Sequence, residues 1–429
     1  MKRMIISVLF LTSSLHAQSV ILNNPGTKAT VAIRNATIVP VSSAPIQNGT
    51  IVLANGTITA VGANIAVPAN ATVIDGTGLF VYPGMIDSGT TVGLTEVDAV
   101  PGTVDTAEIG DLNPNARADV AVNPHSNLIP VTRANGVTAV VVAPEGGLVS
   151  GQSALVQMAG WTPPEMVVKA PLAMHIRFPR LRSAPLVEIP QEEEAERTLR
   201  KNYTREIDRL RDLFRDAQAY AKATGARGRR VERDLLLEAL VPSVEGRMPV
   251  VIEANLARDI RAAIEFTDQF KLKMILSGGQ DVARVLPELK QRNIPVLLGP
   301  ILALPPREDD PYDLLFSNAA ALHQAGIPFA IRTGEAHNTR NLPYHAAACA
   351  AFGLPKDIAL RSITLSPAEI FGVADRLGSL DVGKAANVIV TDGDPLEIRT
   401  NVRRLFIAGE EISLDTYHTL LFEKFKKRP

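Results

Sequence analysis

Met248-Pro-Val-Val-Ile-Glu-Ala254, Lys271-Leu-Lys-Met-Ile-Leu-Ser277 and Ile294-Pro-Val-Leu-Leu-Gly299 are short, nearly continuous apolar runs. Helical patterns over 257–270 and 281–292 separate them. Apolar runs of this length without alternation fit strands buried on both faces, the habit of parallel sheets. Strand–helix repetition then predicts a parallel α/β architecture. Val137-Thr-Ala-Val-Val-Val-Ala143 upstream and Ile327-Pro-Phe-Ala-Ile-Arg332 downstream extend the same pattern.

Toward both ends the pattern changes. Val31 to Val39 alternates, and Asn55-Gly56 joins two strand-like runs, a strong hairpin signal. Strand–turn–strand segments return at 386–393 and 403–412. Two β-rich ends around an α/β middle predict a small composite sheet domain, 29–80 with 376–414, flanking a domain over 81–375 and followed by a tail, 415–429. Within the middle, 191–221 reads as a long amphipathic helix. Leu199, Tyr203, Ile207, Leu210, Phe214 and Ala217 share one face, and Glu193–Arg197 and Glu196–Arg200 are favourable pairs on the solvated side. A partner-binding face is the less favoured reading of that helix.

Apolar residues make up 46% of the 429-residue chain and charged residues 21%, which excludes a disordered chain. The net charge of −1 provides no bulk field for nucleic acid or an anionic membrane, so neither is expected as a partner. A single cysteine, Cys349, excludes an internal disulfide and a cysteine-based metal cluster. Lys2 and Arg3, the apolar run Met4–Leu11 and Ala17 read as a signal peptide over 1–17. The expected location is periplasmic or extracellular.

Three ordered motifs carry a family resemblance. Val81-Tyr-Pro-Gly-Met-Ile-Asp-Ser88 resembles the lead-in to the barrel of the amidohydrolase superfamily. Ile363-Thr-Leu-Ser-Pro-Ala-Glu-Ile-Phe-Gly-Val373 resembles its last helix, and the stretch from Arg376 to Leu396 its return into the β-sandwich. The similarity is nearest to the imidazolonepropionase-like branch and covers nearly the whole chain beyond residue 17. It implies a (β/α)8 TIM-like barrel with a small composite β-sandwich formed by both chain ends, its site at the C-terminal ends of the strands. It implies hydrolysis of C–N bonds in cyclic amides or dipeptides by one or two divalent metals. The family's ligands are a His-x-His pair after the first strand, a Lys or Glu after the fourth, a His after each of the fifth and sixth, and an Asp after the eighth.

Set against that pattern, the ligand positions hold Gly89 and Thr91, Glu253, Gly278 and Gly334, with Lys169 loosely matching the bridging Lys. A catalytic zinc needs about three protein ligands. The expectation is therefore no cofactor and a ligand-binding or partner role without catalysis. The alternative is a hydrolase with a reduced site and one weakly bound divalent metal such as zinc. The expected partners are a small-molecule or peptide ligand and a related barrel subunit in a homo- or hetero-oligomer.

Among the remaining polar residues, Glu253 is a lone ligand or general base, or else a carboxylate paired with an Arg or Lys. A Lys169–Glu253 ion pair would replace the missing metal charge. Glu335 and His337, two apart on the loop after the last strand, are a candidate acid–base pair or two loop residues. Gly89, Thr91, Lys169, Asn255, Gly278 and Gly334 are expected around the pocket. Gly146 to Ser153 reads as a flexible turn.

Overall fold

The computed structural model describes residues 29–181, 192–226 and 231–428. The signal segment expected at 1–17 lies outside the described residues, as does residue 191, the first of the expected long helix. No helix among the described residues is long and apolar enough to cross a membrane.

The chain opens with β1 (Val31–Ile38), β2 (Ile46–Ala54), β3 (Thr57–Gly62), β4 (Thr72–Asp75) and β5 (Phe80–Pro83). Asn55 and Gly56, at φ 53° and 79°, form the turn between β2 and β3. Two successive positive φ values match the twist of a two-residue hairpin, which is why Asn-Gly stands there.

The middle of the chain supplies β6 (Met85–Thr90), β7 (Val137–Val142), β8 (Val149–Gln152), β9 (Ala154–Gln157), β10 (Val167–Lys169), β11 (Met174–Arg177), β12 (Val250–Ala254), β13 (Met274–Gly278), β14 (Val296–Leu298) and β15 (Phe329–Ile331). They form a four-stranded sheet, β10-β9-β7-β6, and a six-stranded sheet, β15-β14-β13-β12-β11-β8. From β11 to β15 every pairing is parallel, as is β6 with β7. Between β7 and β11 the pairing is antiparallel. Gly146 to Ser153, expected as a flexible turn, includes β8, because its backbone pairs with β11.

The two sheets meet at both margins. Ser88 Oγ donates to the Ile331 carbonyl (2.9 Å), and Gly334 N donates to the Gly89 carbonyl (3.0 Å). On the other side Leu172 N donates to the Ser153 carbonyl and Ser153 N to the Ala173 carbonyl. Strand residues alternate between two apolar clusters. Ile86, Ala139, Val141, Leu155, Val251, Ile275, Leu297 and Ala330 share one with Ala368 and Phe371. Met85, Val140, Ile252, Leu276, Val296 and Ile331 face the other, with the flanking helices. Period-two alternation leaves each strand with an inner and an outer row.

The chain returns through β16 (Val388–Thr391), β17 (Val402–Ile407) and β18 (Glu410–Glu411). β16 pairs with β5, so both chain ends build one eight-stranded sheet, β18-β17-β16-β5-β1-β2-β3, with β4 beside β1. Its core includes Ile33, Ile51, Leu53, Val81, Val388 and Phe406.

The long helix runs Glu192–Thr224. Leu210, Phe214 and Ala217 are fully buried, and Phe214 packs edge-on to Phe266 with ring centres 5.3 Å apart. Its apolar face is therefore covered by this chain. Arg209 Nη1 donates to Asp111 Oδ2 (2.7 Å), tying the helix to the long segment after β6.

Candidate functional site

The inner row turns polar at the C-terminal ends of the strands. Two residues beyond Ile86, Ala173, Val251, Ile275 and Ala330 stand Ser88, His175, Glu253, Ser277 and Arg332. Arg177 follows His175 by the same step. Period two therefore lays a polar layer on an apolar one.

Arg332 holds the centre of that layer. Its Nη1 donates to Ser277 Oγ (2.8 Å) and its Nε to the Gly299 carbonyl (3.4 Å). Three glycines surround it. A Cβ on Gly89 would lie 3.3 Å from Arg332 Cδ, and one on Gly334 3.6 Å from Nη2. A Cβ on Gly299 would lie 2.2 Å from the Arg332 carbonyl oxygen and 3.3 Å from Cγ. Gly89 and Gly334 were expected to line open pocket. Instead the Arg332 side chain lies over both, filling the space that their missing side chains leave.

Arg332 also sets the local electrostatics. Desolvation raises the Glu145 carboxyl although the residue as a whole is exposed, while Arg332 pulls it down, Glu253 pushes it up and Arg177 pulls it down. His175 is held neutral, lowered to about 3 by burial and by the Arg332 charge. Its Nε2 is buried without a hydrogen-bond partner among the described residues. On β6, Asp87 is fully buried and accepts from Gly89 N (2.9 Å), Thr333 N (3.3 Å) and Thr333 Oγ1 (2.5 Å). Desolvation raises it to about 6 against those hydrogen bonds and Arg332.

The structure disperses most of the residues singled out by sequence. Glu253 stands at the strand end as expected, but it is partly exposed, and its ion-pair partner is Arg177 (Nε to Oε2, 3.7 Å). Lys169 is not that partner. Its Nζ donates to the Phe371 carbonyl (2.9 Å), because β10 is an antiparallel strand beside β9 and directs Lys169 to the end of the helix Leu365–Ile370.

Glu335 and His337 do not form a pair. The Glu335 carboxylate accepts from Asn338 Nδ2 (2.7 Å) in an exposed turn. His337 instead faces the 96–98 loop, with Nε2 3.1 Å from the Glu96 carbonyl and Nδ1 3.5 Å from Asp98 Oδ2. Thr91 is buried, and its carbonyl closes a turn with Leu94 N. Asn255 and Gly278 do meet. Gly278 has φ +95°, and a Cβ there would sit 2.4 Å from Asn255 Oδ1, so this glycine is required by its backbone and its neighbour.

Arg332, His175 and Glu145 were missed. For the first two, the available signal was the period-two step from the apolar inner positions. Glu145 follows Pro144 on a loop and carries no such signal.

A cavity of about 450 Å³ opens beside Arg177, with Arg180, Asp111 and Phe178 on one side and Leu199, Tyr203 and Glu206 of the long helix on the other. The helix thus covers part of the strand-end face. Among the described residues, no three His, Cys, Asp or Glu side chains stand close enough to hold a metal ion together. Of the five positions matched to family ligands at residues 89, 91, 253, 278 and 334, only Glu253 offers a metal donor of the family's kind. This donor set does not fit a catalytic divalent metal.

Four similarities bear on this arrangement. The amidohydrolase family profile matches residues 316–412. The chain is similar to the amidohydrolase tasK of Hapsidospora irregularis, 23% identical over 377 residues, covering 80% of this chain. It spans 37% of the length of that relative. The crystal structure of an amidohydrolase from Thermotoga maritima MSB8 superimposes with a TM-score of 0.79 at 26% identity, covering 89% of this chain and 99% of that one. Molinate hydrolase shares the fold at a TM-score of 0.53 and 17% identity, covering 91% of this chain and 96% of that one.

Proposed function

We propose, from the premise that this chain is a member of the amidohydrolase superfamily, that it binds a small ligand at the strand ends without metal-dependent hydrolysis. In this reading the two middle sheets close as one (β/α)8-type barrel, supported by the shared inner cluster and the hydrogen bonds at both margins. The family's activity, hydrolysis of C–N bonds, is not retained in this reading. The observation that carries the proposal is the Arg332 guanidinium lying over Gly89 and Gly334.

A guanidinium cannot replace a metal as a source of hydroxide near neutral pH. It can bind a carboxylate. Arg332 and Arg177 offer cationic donors, and Glu145 and Glu253 offer acceptors, all electrostatically coupled. That mixture suits a ligand carrying both charges, such as a short peptide or an amino-acid derivative. Export through the 1–17 segment and pairing with a related barrel subunit belong to the same proposal. Because the apolar face of the long helix is already buried, such pairing would have to use its charged face or another surface.

A second reading has one observation in its favour. Glu145 is solvent-exposed, yet desolvation of its carboxyl and the nearby Glu253 charge raise its pKa, the direction that suits a carboxyl for general acid or base work. In that reading residual C–N hydrolysis would proceed from Glu145, with at most one weakly bound zinc.

Both readings are tested by incubating the protein with a dipeptide and cyclic-amide panel, with and without added zinc or manganese. Products would be read by mass spectrometry and binding by calorimetry. The expected result is saturable binding by at least one dipeptide with no metal-dependent product. Turnover that requires metal would overturn the proposal.

A further inference from the structure

A second cavity, of about 890 Å³, opens beside the strand ends and is separate from the polar layer around Arg332. Five arginines line it: Arg180, Arg258, Arg261, Arg284 and Arg307. They come from the segments that follow four successive parallel strands, β11 to β14.

Acids hold four of them from behind. Arg307 grips Asp281 through both terminal nitrogens (2.6 and 3.1 Å) and reaches Asp310 through Nε (3.3 Å). Arg284 Nη2 lies 3.5 Å from the same Asp310. Arg258 Nε meets Asp259 (3.2 Å) and Arg261 Nε meets Glu288 (2.7 Å). The side chains of Asp281 and Asp310 are each only 3% exposed and that of Asp259 4%, whereas those of Arg307 and Arg284 are 32% and 56% exposed. The carboxylates are thus buried behind the guanidinium groups, which reach solvent.

A guanidinium has five N–H donors. Among the described residues, these contacts leave at least two uncommitted on each of the four. Buried acids that fix the direction of arginine forks preorganise them, so less entropy is lost when a ligand binds. Among the described residues, five guanidinium groups against four carboxylates leave an excess of positive charge. The helix Ala257–Phe270 adds the positive end of its dipole, since Leu256, Ala257 and Arg258 also line the cavity.

We infer that this cavity is a receptor for a small polyanion, a molecule bearing two or more phosphate or carboxylate groups. Two oxyanions held by separate arginine forks explain why the positive charges are spread over four segments. A single anion would need one fork. The inference stands apart from the reading of the polar layer, with Arg180 bordering both cavities.

The test is calorimetric titration of the full chain with sodium pyrophosphate, citrate and orthophosphate, at about 50 mM and about 500 mM sodium chloride. Pyrophosphate or citrate is expected to bind at least about tenfold more tightly than orthophosphate at low salt, and more weakly at high salt. Binding by both marks a general polyanion site, and binding by one identifies the group it prefers. The Arg180→Gln/Arg261→Gln variant is expected to lose about tenfold in affinity with an unchanged thermal midpoint. Arg180 is exposed, and Glu288 keeps access to water, so no buried charge is stranded. Arg247→Gln/Arg404→Gln, at sites outside the cavity, should leave affinity unchanged. Absence of saturable heat from all three anions, equal affinities for all three, or the same loss in both double variants would overturn the inference.

Discussion

Thr333 Oγ1 donates a 2.5 Å hydrogen bond to Asp87 Oδ2, joining residues 246 positions apart where neither has access to solvent. This contact fastens β6 to the segment leaving β15, beside the Ser88–Ile331 bond. Thr333→Val keeps the shape and removes the donor, so a buried carboxylate loses a partner. The expected cost is about 1–3 kcal/mol in chemical denaturation. A loss below about 0.3 kcal/mol would mean that the hydroxyl contributes no net stability.

The Asp87 carboxyl, raised to about 6 in the fold, keeps its proton to a higher pH than in the unfolded chain, where about 3.9 is ordinary. Between those values the folded state binds more protons, so stability falls as pH rises. Below about 4 both states are protonated, and above about 6 the full cost is present. Asp87→Asn lacks this titration. Wild type should therefore lose stability relative to the variant from about pH 4 to about pH 6. A difference independent of pH across that window would contradict the assignment.

Gly278→Ala adds a Cβ facing Asn255 Oδ1 at 2.4 Å and forces φ +95° on a residue with a side chain. A destabilisation of about 2–3 kcal/mol is expected. Adding Asn255→Ala should recover part of it, because the clash is relieved while the backbone strain persists. Strict additivity of the two changes in denaturant melts would show that Asn255 is not what the new methyl group meets.

The Arg177–Glu253 pair, at 3.7 Å and partly exposed, should show a coupling below about 0.5 kcal/mol in a double-mutant cycle. Lys169→Met loses one hydrogen bond to a carbonyl and should cost about 1 kcal/mol, short of the roughly 3–5 kcal/mol for breaking a buried ion pair. A loss in that larger range would revive the Lys169–Glu253 pairing.

The central alternation of strands and helices was legible because buried parallel strands need unbroken apolar runs, and 248–254, 271–277 and 294–299 supply them. The Asn55-Gly56 turn was legible because few other pairs accept two positive φ values. The antiparallel stretch from β8 to β10 was not, since short strands among glycines resemble a loop. At the site, the residues standing where the family resemblance puts ligands could be read one by one. The side chain lying over two of them was not, because Arg332 follows β15, which sits beside β6 in space but far from it in sequence. Glu335 and His337 are close in sequence, but the turn at Asn338 and the 96–98 loop draw them apart.

Arg332→Met removes the charge that lowers both Glu145 and His175. Carboxyl and imidazole titration followed by NMR should show both groups move to higher pKa in the variant. Ser277 Oγ and the Gly299 carbonyl lose a donor, for a stability loss of about 1–3 kcal/mol. If neither group moves, Arg332 does not govern the polar layer.

In the proposed function, Arg332 and the neighbouring Gly89 and Gly334 take the space and the positive charge that a divalent metal would have at these strand ends. Elemental mass spectrometry of protein purified from zinc- and manganese-supplemented medium tests it most directly. The prediction is less than about one-tenth of a metal ion per chain, since about three protein ligands are needed and the donors at these positions are fewer. One or more ions per chain, removable only by a chelator, would contradict it.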